Sequence, residues 1–288
     1  HHQGFAAASR HFESNPEFFP MNEKGERQHQ GKHRCFSNSG LRQTMTGNIE
    51  KLLQQNHVKA NEAVRVDVSH DDYDCKICYC LSCQTLEEKY QSPGGPIFDY
   101  LIQDASPYFA AKYPKLQLRF LVYGSLTTEK PPVASALENG KLPGNLVPYL
   151  AFITADFSKT LDSASNREIY EKLQNWGSIA QQQFFYYYAT TFARPLVSLP
   201  LFGNVRRPAL DFQLGYRHNI RQLFTEADSL FTRGNMGFTG LLLFLETQIA
   251  NDASLDLDEL IKEYMQHVYG EAAPLMLEYF YELEKLME

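Results

Sequence analysis

The residues best equipped for chemistry lie between Val64 and Cys83, in the stretch VRVDVSHDDYDCKICYCLSC. Val64, Val66 and Val68 alternate with Arg65, Asp67 and Ser69, the period-two pattern of a short strand with one apolar and one polar face. At its end His70, Asp71 and Asp72 bring an imidazole and two carboxylates together. Barrels and open α/β sheets keep their reacting groups at such strand ends. Adjacent carboxylates repel, which raises one pKa of the pair and keeps one acid protonated near neutral pH. Asp72 is therefore a candidate general acid, with Asp71 as its charged neighbour and His70 as a hydrogen-bonding partner. The competing role for the pair is to cap and solvate the turn. Four cysteines then fall within nine residues, in a chain that holds five.

Other candidates end other strands. Glu226 sits in the apolar context LFTEA, where an acidic group must be paired or functional. It is a second carboxylate, a ligand for hydroxyls, or the partner of Arg65, Arg119 or Arg221 in a salt bridge. Alternation turns at least one of Tyr186, Tyr187 and Tyr188 toward the inner face of its strand, and Tyr187 and Tyr188 are the expected substrate contacts. A core tyrosine is the competing reading. Tyr123 and Asp156 are weaker rim candidates of the same kind.

The elements that must carry these residues alternate. Residues 1–32 read as a polar surface segment anchored by Phe18 and Phe19. A short strand is expected at 34–37, then a helix over 41–55 capped by Asn38 or Ser39. Strands follow at 64–69, 116–125, 146–157, 184–192 and 221–229. Helices are expected at 96–113, ended by Pro114, and at 166–180, 207–219, 239–250 and 256–287. Such alternation implies parallel strands joined by crossover helices. The expected fold is therefore α/β, a (β/α)8 TIM-barrel-like domain lacking its first two βα units. Residues 1–238 would form the partial barrel and 239–288 the C-terminal helices packed on it. A doubly wound sheet is the alternative, but the Gly-rich turn that docks a dinucleotide is missing.

Bulk properties exclude several classes. The net charge is −7 with no run of Lys or Arg longer than two, which argues against a nucleic-acid partner. No apolar run approaches the roughly 20 residues of a membrane span. The opening HHQGFAAASRHF has neither an initiator Met nor the basic and apolar regions of a signal peptide, so the upstream part of the same barrel is an expected partner. The 17 Tyr and 20 Phe suit a large core and also a sugar-stacking cleft.

NPEFFPMNEKGER, CFSNSG, VSHDD with CYCLSC, EKPP, ADFS and IKEYMQHVYGEAAPLM, in that order, resemble a bacterial domain family catalogued as DUF4838. That family is similar to the barrels of α-glucuronidases and β-hexosaminidases. The resemblance places its Asn-Asp pair on Asp71 and Asp72, its Cys-x-Cys-x2-Cys on Cys78, Cys80 and Cys83, a further cysteine on Cys35, and its last-strand acid on Glu226. It implies glycoside hydrolysis, in which one carboxylic acid protonates the leaving oxygen while a second group meets the developing cation. Asp72, Glu226 and Asp71 are then the catalytic candidates, with a carbohydrate as substrate and no cofactor for catalysis. Where the family has Trp-Asp-Tyr and then Asn, this chain has Tyr186, Tyr187, Tyr188 and Thr191, which favours a non-catalytic carbohydrate-binding barrel as the alternative. The four matched cysteines suffice for a closed structural zinc site or for one or two disulfides, with Cys75 left over. The family implies export. A zinc-ribbon interaction module, resting on the cysteines alone, is the third reading.

Overall fold

The structure, a computed structural model, describes residues 12–29, 32–156, 158–189, 205–227 and 238–287. Thr191 and the expected strand ends beyond Ala189 and Ala227 lie outside them. Two compact units make up the chain, His1–Ala151 with Gln174–Phe184, and Phe152–Leu173 with Phe185–Glu288.

In the first unit Asn38 accepts a hydrogen bond from the Leu41 N–H at 2.9 Å and so starts α1 (Ser39–Gln55), which buries Leu41, Met45, Ile49 and Leu53. β1 (Arg65–Asp67) follows, and then three helices: α2 (Leu81–Tyr90), α3 (Gly95–Asp99) and α4 (Ser106–Lys112), the last two joined through a π-helical turn at Tyr100–Ala105. β2 (Gln117–Val122) alternates strictly, with Leu118, Phe120 and Val122 buried and Gln117, Arg119 and Leu121 half-buried. β3 (Leu146–Ala151) pairs with it in parallel, as β1 does on the other side. α5 (Arg167–Ile179) leads to β4 (Gln183–Ala189). Phe98, Phe120 and Trp176 meet edge-on at 5.8–6.1 Å, and the Trp176 indole N–H donates to the Glu129 carbonyl. This cluster is the core of the first unit.

The second unit holds most of β4, then α6 (Arg207–Arg217), β5 (Ile220–Ala227), α7 (Thr239–Asn251), α8 (Leu257–Tyr269) and α9 (Ala273–Met287). The single helix expected over 256–287 is two. Asp256 caps α8 through the Asp258 and Glu259 N–H groups, and Gly270, at φ 53°, ends it. That backbone conformation suits glycine and breaks the helical ladder.

The strands run through the sheet in the order β1-β2-β3-β4-β5. A doubly wound sheet reverses direction at a switch point, and none exists here. The succession is that of a barrel, but five strands stand among the described residues where a (β/α)8 barrel has eight. The fold is α/β, and the described strands do not make up a full barrel. The strand expected at 34–37 is also absent. There the chain makes tight turns, Phe36 N–H to Arg34 O and Asn38 N–H to Cys35 O, because Cys35 is tied to the Phe18 carbonyl instead of to a neighbouring strand. α2 was not expected at all.

One glycine is fixed by packing. A Cβ on Gly95 would land on the Leu86 carbonyl of α2, backbone that cannot swing aside. Gly95→Ala is expected to cost about 2–3 kcal/mol, as overpacking does. Urea denaturation measures this, and an unchanged midpoint would contradict the close approach of α2 and α3.

Candidate functional site

The Sγ atoms of Cys35, Cys78, Cys80 and Cys83 lie within 4.8 Å of one another. Cys35 is 3.6 Å from Cys80 and 3.9 Å from Cys83, and none of the five cysteines is in a disulfide. Four sulfurs bound at about 2.3 Å around a tetrahedral zinc stand about 3.8 Å apart, which the two distances bracket. All four side chains are buried, Cys80 being the most open at 9%. The donors around them are those a thiolate cluster needs. The Met21 N–H reaches Cys78 Sγ at 3.2 Å, the Ser37 hydroxyl lies 3.4 Å from Cys35 and 3.6 Å from Cys80, and Arg27 Nη1 is 3.9 Å from Cys78. Crowded together, the thiols diverge in acidity. Hydrogen bonds from Cys78 and Cys83 hold Cys35 far below the usual thiol range, and the bond with Cys35 pushes Cys78 up to about 12. A dication is the charge that lets all four ionise together. Cys75 stands outside the cluster, as expected.

The loop between β1 and this cluster carries the acidic pair. The Val68 N–H donates to the Arg119 carbonyl at 2.7 Å, so the chain leaves the sheet at its C-terminal edge. Asp67 turns it by accepting from the backbone N–H and hydroxyl of Ser69. His70 is buried, with Nδ1 2.7 Å from the Asp71 carbonyl and Nε2 2.7 Å from the Thr128 hydroxyl. A carbonyl only accepts, so Nδ1 carries the proton of the neutral ring, and the Thr128 hydroxyl, which also lies 2.6 Å from the Leu121 carbonyl, shares its single proton between that carbonyl and Nε2. Burial lowers the His70 pKa to about 4 and keeps the ring neutral. It ties the loop after β1 to the loop after β2, and its nitrogens are taken up by these partners. The expected partner was an Asp carboxylate, and the actual ones are a backbone carbonyl and a threonine.

Asp74 makes a second tie, accepting from the Ser125 hydroxyl at 3.0 Å and the Leu126 N–H at 2.8 Å. Between these anchors Asp71 is half-buried near the Arg34 guanidinium, whose own pKa is lowered by burial and raised by that carboxylate. Asp72 is exposed. Tyr123, half-buried at the end of β2, has its pKa raised by burial and then by the negative charges of Asp72 and Asp74. The structure therefore brings Asp71, Asp72 and Tyr123 to one strand-end rim.

In the second unit Glu226 accepts a 2.5 Å hydrogen bond from the Tyr186 hydroxyl. Tyr186 packs 5.0 Å from Tyr188 and 4.8 Å from Phe224, so Tyr188 shares the face of Glu226. Tyr187 points the other way. It is buried against Phe212 of α6, with its hydroxyl 2.9 Å from Asp211, and takes the core role instead of the substrate contact. Asp156 closes an Asx turn onto the Ser158 N–H and hydroxyl, bonds that lower its pKa.

A family model described as a domain of unknown function, DUF4838, matches residues 2–281. The chain belongs to this family. No curated protein and no solved structure matches it.

Within this DUF4838 chain the sequence reading passed over a buried charged cluster. Asp211 is fully buried, accepts from the Leu161 N–H at 2.8 Å and from Tyr187, and pairs with Arg207 at 3.0 Å. Burial pushes its pKa up to about 6. Glu246 on α7 is 8% exposed, and among the described residues its Oε1 has no hydrogen-bond partner. Burial pushes this carboxyl up to about 7. The signal was present, since Glu246 interrupts the apolar run LLLFLETQI and Arg207 and Asp211 stand four apart on one helix.

A pH dependence follows from Glu246. An unfolded glutamate ionises near 4.5 and the folded one near 7, so its stabilising contribution is whole below 4.5, falls as pH rises, and is gone above 7. The full loss is of order 3 kcal/mol. Glu246→Gln is expected to be more stable than wild type by about 2–3 kcal/mol at pH 8 and by at most about 1 kcal/mol at pH 5. Urea titrations at the two pH values check it, and an equal gain at both would contradict it.

Proposed function

We propose that this chain is a carbohydrate-directed α/β domain of glycoside-hydrolase type whose acidic rim is held by a structural zinc. The observation that carries the reading is the loop from Ser69 to Cys80. It leaves the C-terminal end of a parallel strand, presents Asp71 and Asp72, and ends in a four-sulfur cluster of tetrahedral dimensions. Strand ends of this kind are where α/β sheets place their chemistry. Zinc on Cys35, Cys78, Cys80 and Cys83 would leave no open coordination position, so it would fix the loop and activate no water. The cysteines then belong to the α/β unit itself and not to a separate zinc ribbon.

In this reading Asp72 protonates the leaving glycosidic oxygen, Asp71 is its charged neighbour, and the Tyr123 phenol hydrogen-bonds a sugar hydroxyl. Asp72's exposure favours the second reading, a domain that binds glycans without cleaving them, because an acid that must stay protonated is better served by apolar surroundings.

A panel of chromogenic aryl glycosides and uronides, with calorimetric titration of the matching glycans, separates the two. Release of aglycone from at least one substrate is the expected result. Binding without release would transfer the conclusion to the second reading, and neither binding nor release would remove carbohydrate from the account.

A further inference from the structure

A cavity of about 410 Å³ opens beside the loop after β1, between the segment from Pro20 to Gln28 and the start of the cysteine stretch. It lies in the first unit, and its walls are more basic than the rest of the chain. Lys24, Lys32 and Lys76 line it, against one carboxylate, Glu23, in a protein whose net charge is −7. The carboxylate is already engaged, accepting from the Tyr79 hydroxyl at 2.8 Å.

The three ammonium groups differ in how they are held. Lys76 is paired with Glu87. Lys32 rests over the Tyr73 ring at 4.3 Å, a cation–π contact that positions it without neutralising it. Among the described residues, neither Lys24 nor Lys32 has a carboxylate partner. His33 also lines the cavity. It is 3% exposed, with its ring nitrogens closed to solvent and facing the carbonyls of Tyr73 and Cys75, so it shapes the floor without offering a donor to the cavity. Uncompensated ammonium groups around a concave wall lack one thing, an acceptor with negative charge.

We propose that this cavity binds one oxyanion group, a carboxylate, sulfate or phosphate borne by a small ligand, with Lys24 and Lys32 supplying the charge. The assignment stands on the cavity alone and does not need the rim to be catalytic.

Isothermal titration calorimetry on the full chain tests it, because thermal shifts with sulfate or phosphate would also report general salt effects. The probes are sodium sulfate, inorganic phosphate, glucuronate and, as the neutral control, glucose, each at low and at physiological ionic strength. At least one anion is expected to bind, glucose is not, and binding should weaken as salt rises. The double variant Lys24→Gln/Lys32→Gln, both positions exposed and remote from any core, is expected to lose about tenfold or more in affinity. Glucuronate binding much more tightly than the inorganic ions would support a sugar-borne carboxylate. Sulfate or phosphate binding more tightly would support a free or esterified anion. Absence of binding by all three anions, equal binding of glucose, or full affinity in the double variant would overturn the proposal.

Discussion

With zinc held on the four cysteines as proposed, Cys83→Ser is expected to lose the metal and to lower the melting temperature by roughly 10 °C. Cys83 is fully buried, lies 3.9 Å from Cys35, and is presented by α2, so its sulfur links that helix to the segment around Cys35. Structural zinc is worth about 10–16 kcal/mol in domains that have little else to fold around. The first unit has its own aromatic core, so the metal's share here is smaller, of the order of 3–5 kcal/mol out of a total of about 5–15. At about 2–4 °C per kcal/mol for a domain of this size, that is the shift expected. A chelator should bring wild type down to the same temperature and leave the variant unmoved. Cys75→Ser, outside the cluster, should change little. Equal melting of Cys75→Ser and Cys83→Ser would mean the four sulfurs hold nothing.

In the proposed catalytic role of Asp72, Asp72→Asn is expected to lower kcat by about 10²- to 10⁴-fold, the range a positioned proton donor supplies, while glycan affinity changes little. The amide keeps the size of the side chain and removes the proton that the leaving oxygen must receive. Asp74 is the control, because its carboxylate clamps the Gly124–Thr128 turn. Asp74→Asn should shift stability before chemistry. Retention of wild-type turnover by Asp72→Asn would move the acid elsewhere.

β1 and β2 were legible because apolar and polar residues alternate along VRVDVS and QLRF, and β3 because LVPYLA is an unbroken apolar run, while parallel succession follows from the helices between most of the strands. Which face of β4 meets the helices was not legible. Tyr186, Tyr187 and Tyr188 are alike in sequence, and only Asp211 and Phe212 on α6 decide that Tyr187 turns inward to the core. α2 went unseen because the cysteine stretch runs straight into it, with Cys83 in its first turn and Cys80 capping it without a side-chain hydrogen bond. The break in the last helix was written in Gly270, but the amphipathic pattern continues on both sides and hides it.

The candidate rim divides in the same way. Asp71, Asp72 and Tyr123 announce themselves by type and by position after a strand. Asp74 does not, since its role depends on where the Gly124–Thr128 turn comes to rest. The charge opposite Glu226 was sought among arginines, but its described partner is the Tyr186 hydroxyl on the neighbouring strand β4, forty residues away in the chain, which no local pattern could place.

The claim that a metal pins the acidic loop is tested most directly by native mass spectrometry of the chain purified under reducing conditions without added metal, followed by thiol titration after acid unfolding. One zinc per chain, released on unfolding together with five titratable thiols, is the result the four-sulfur geometry predicts. A metal-free chain with five thiols, or a mass short by the hydrogens of one or two disulfides, would contradict it.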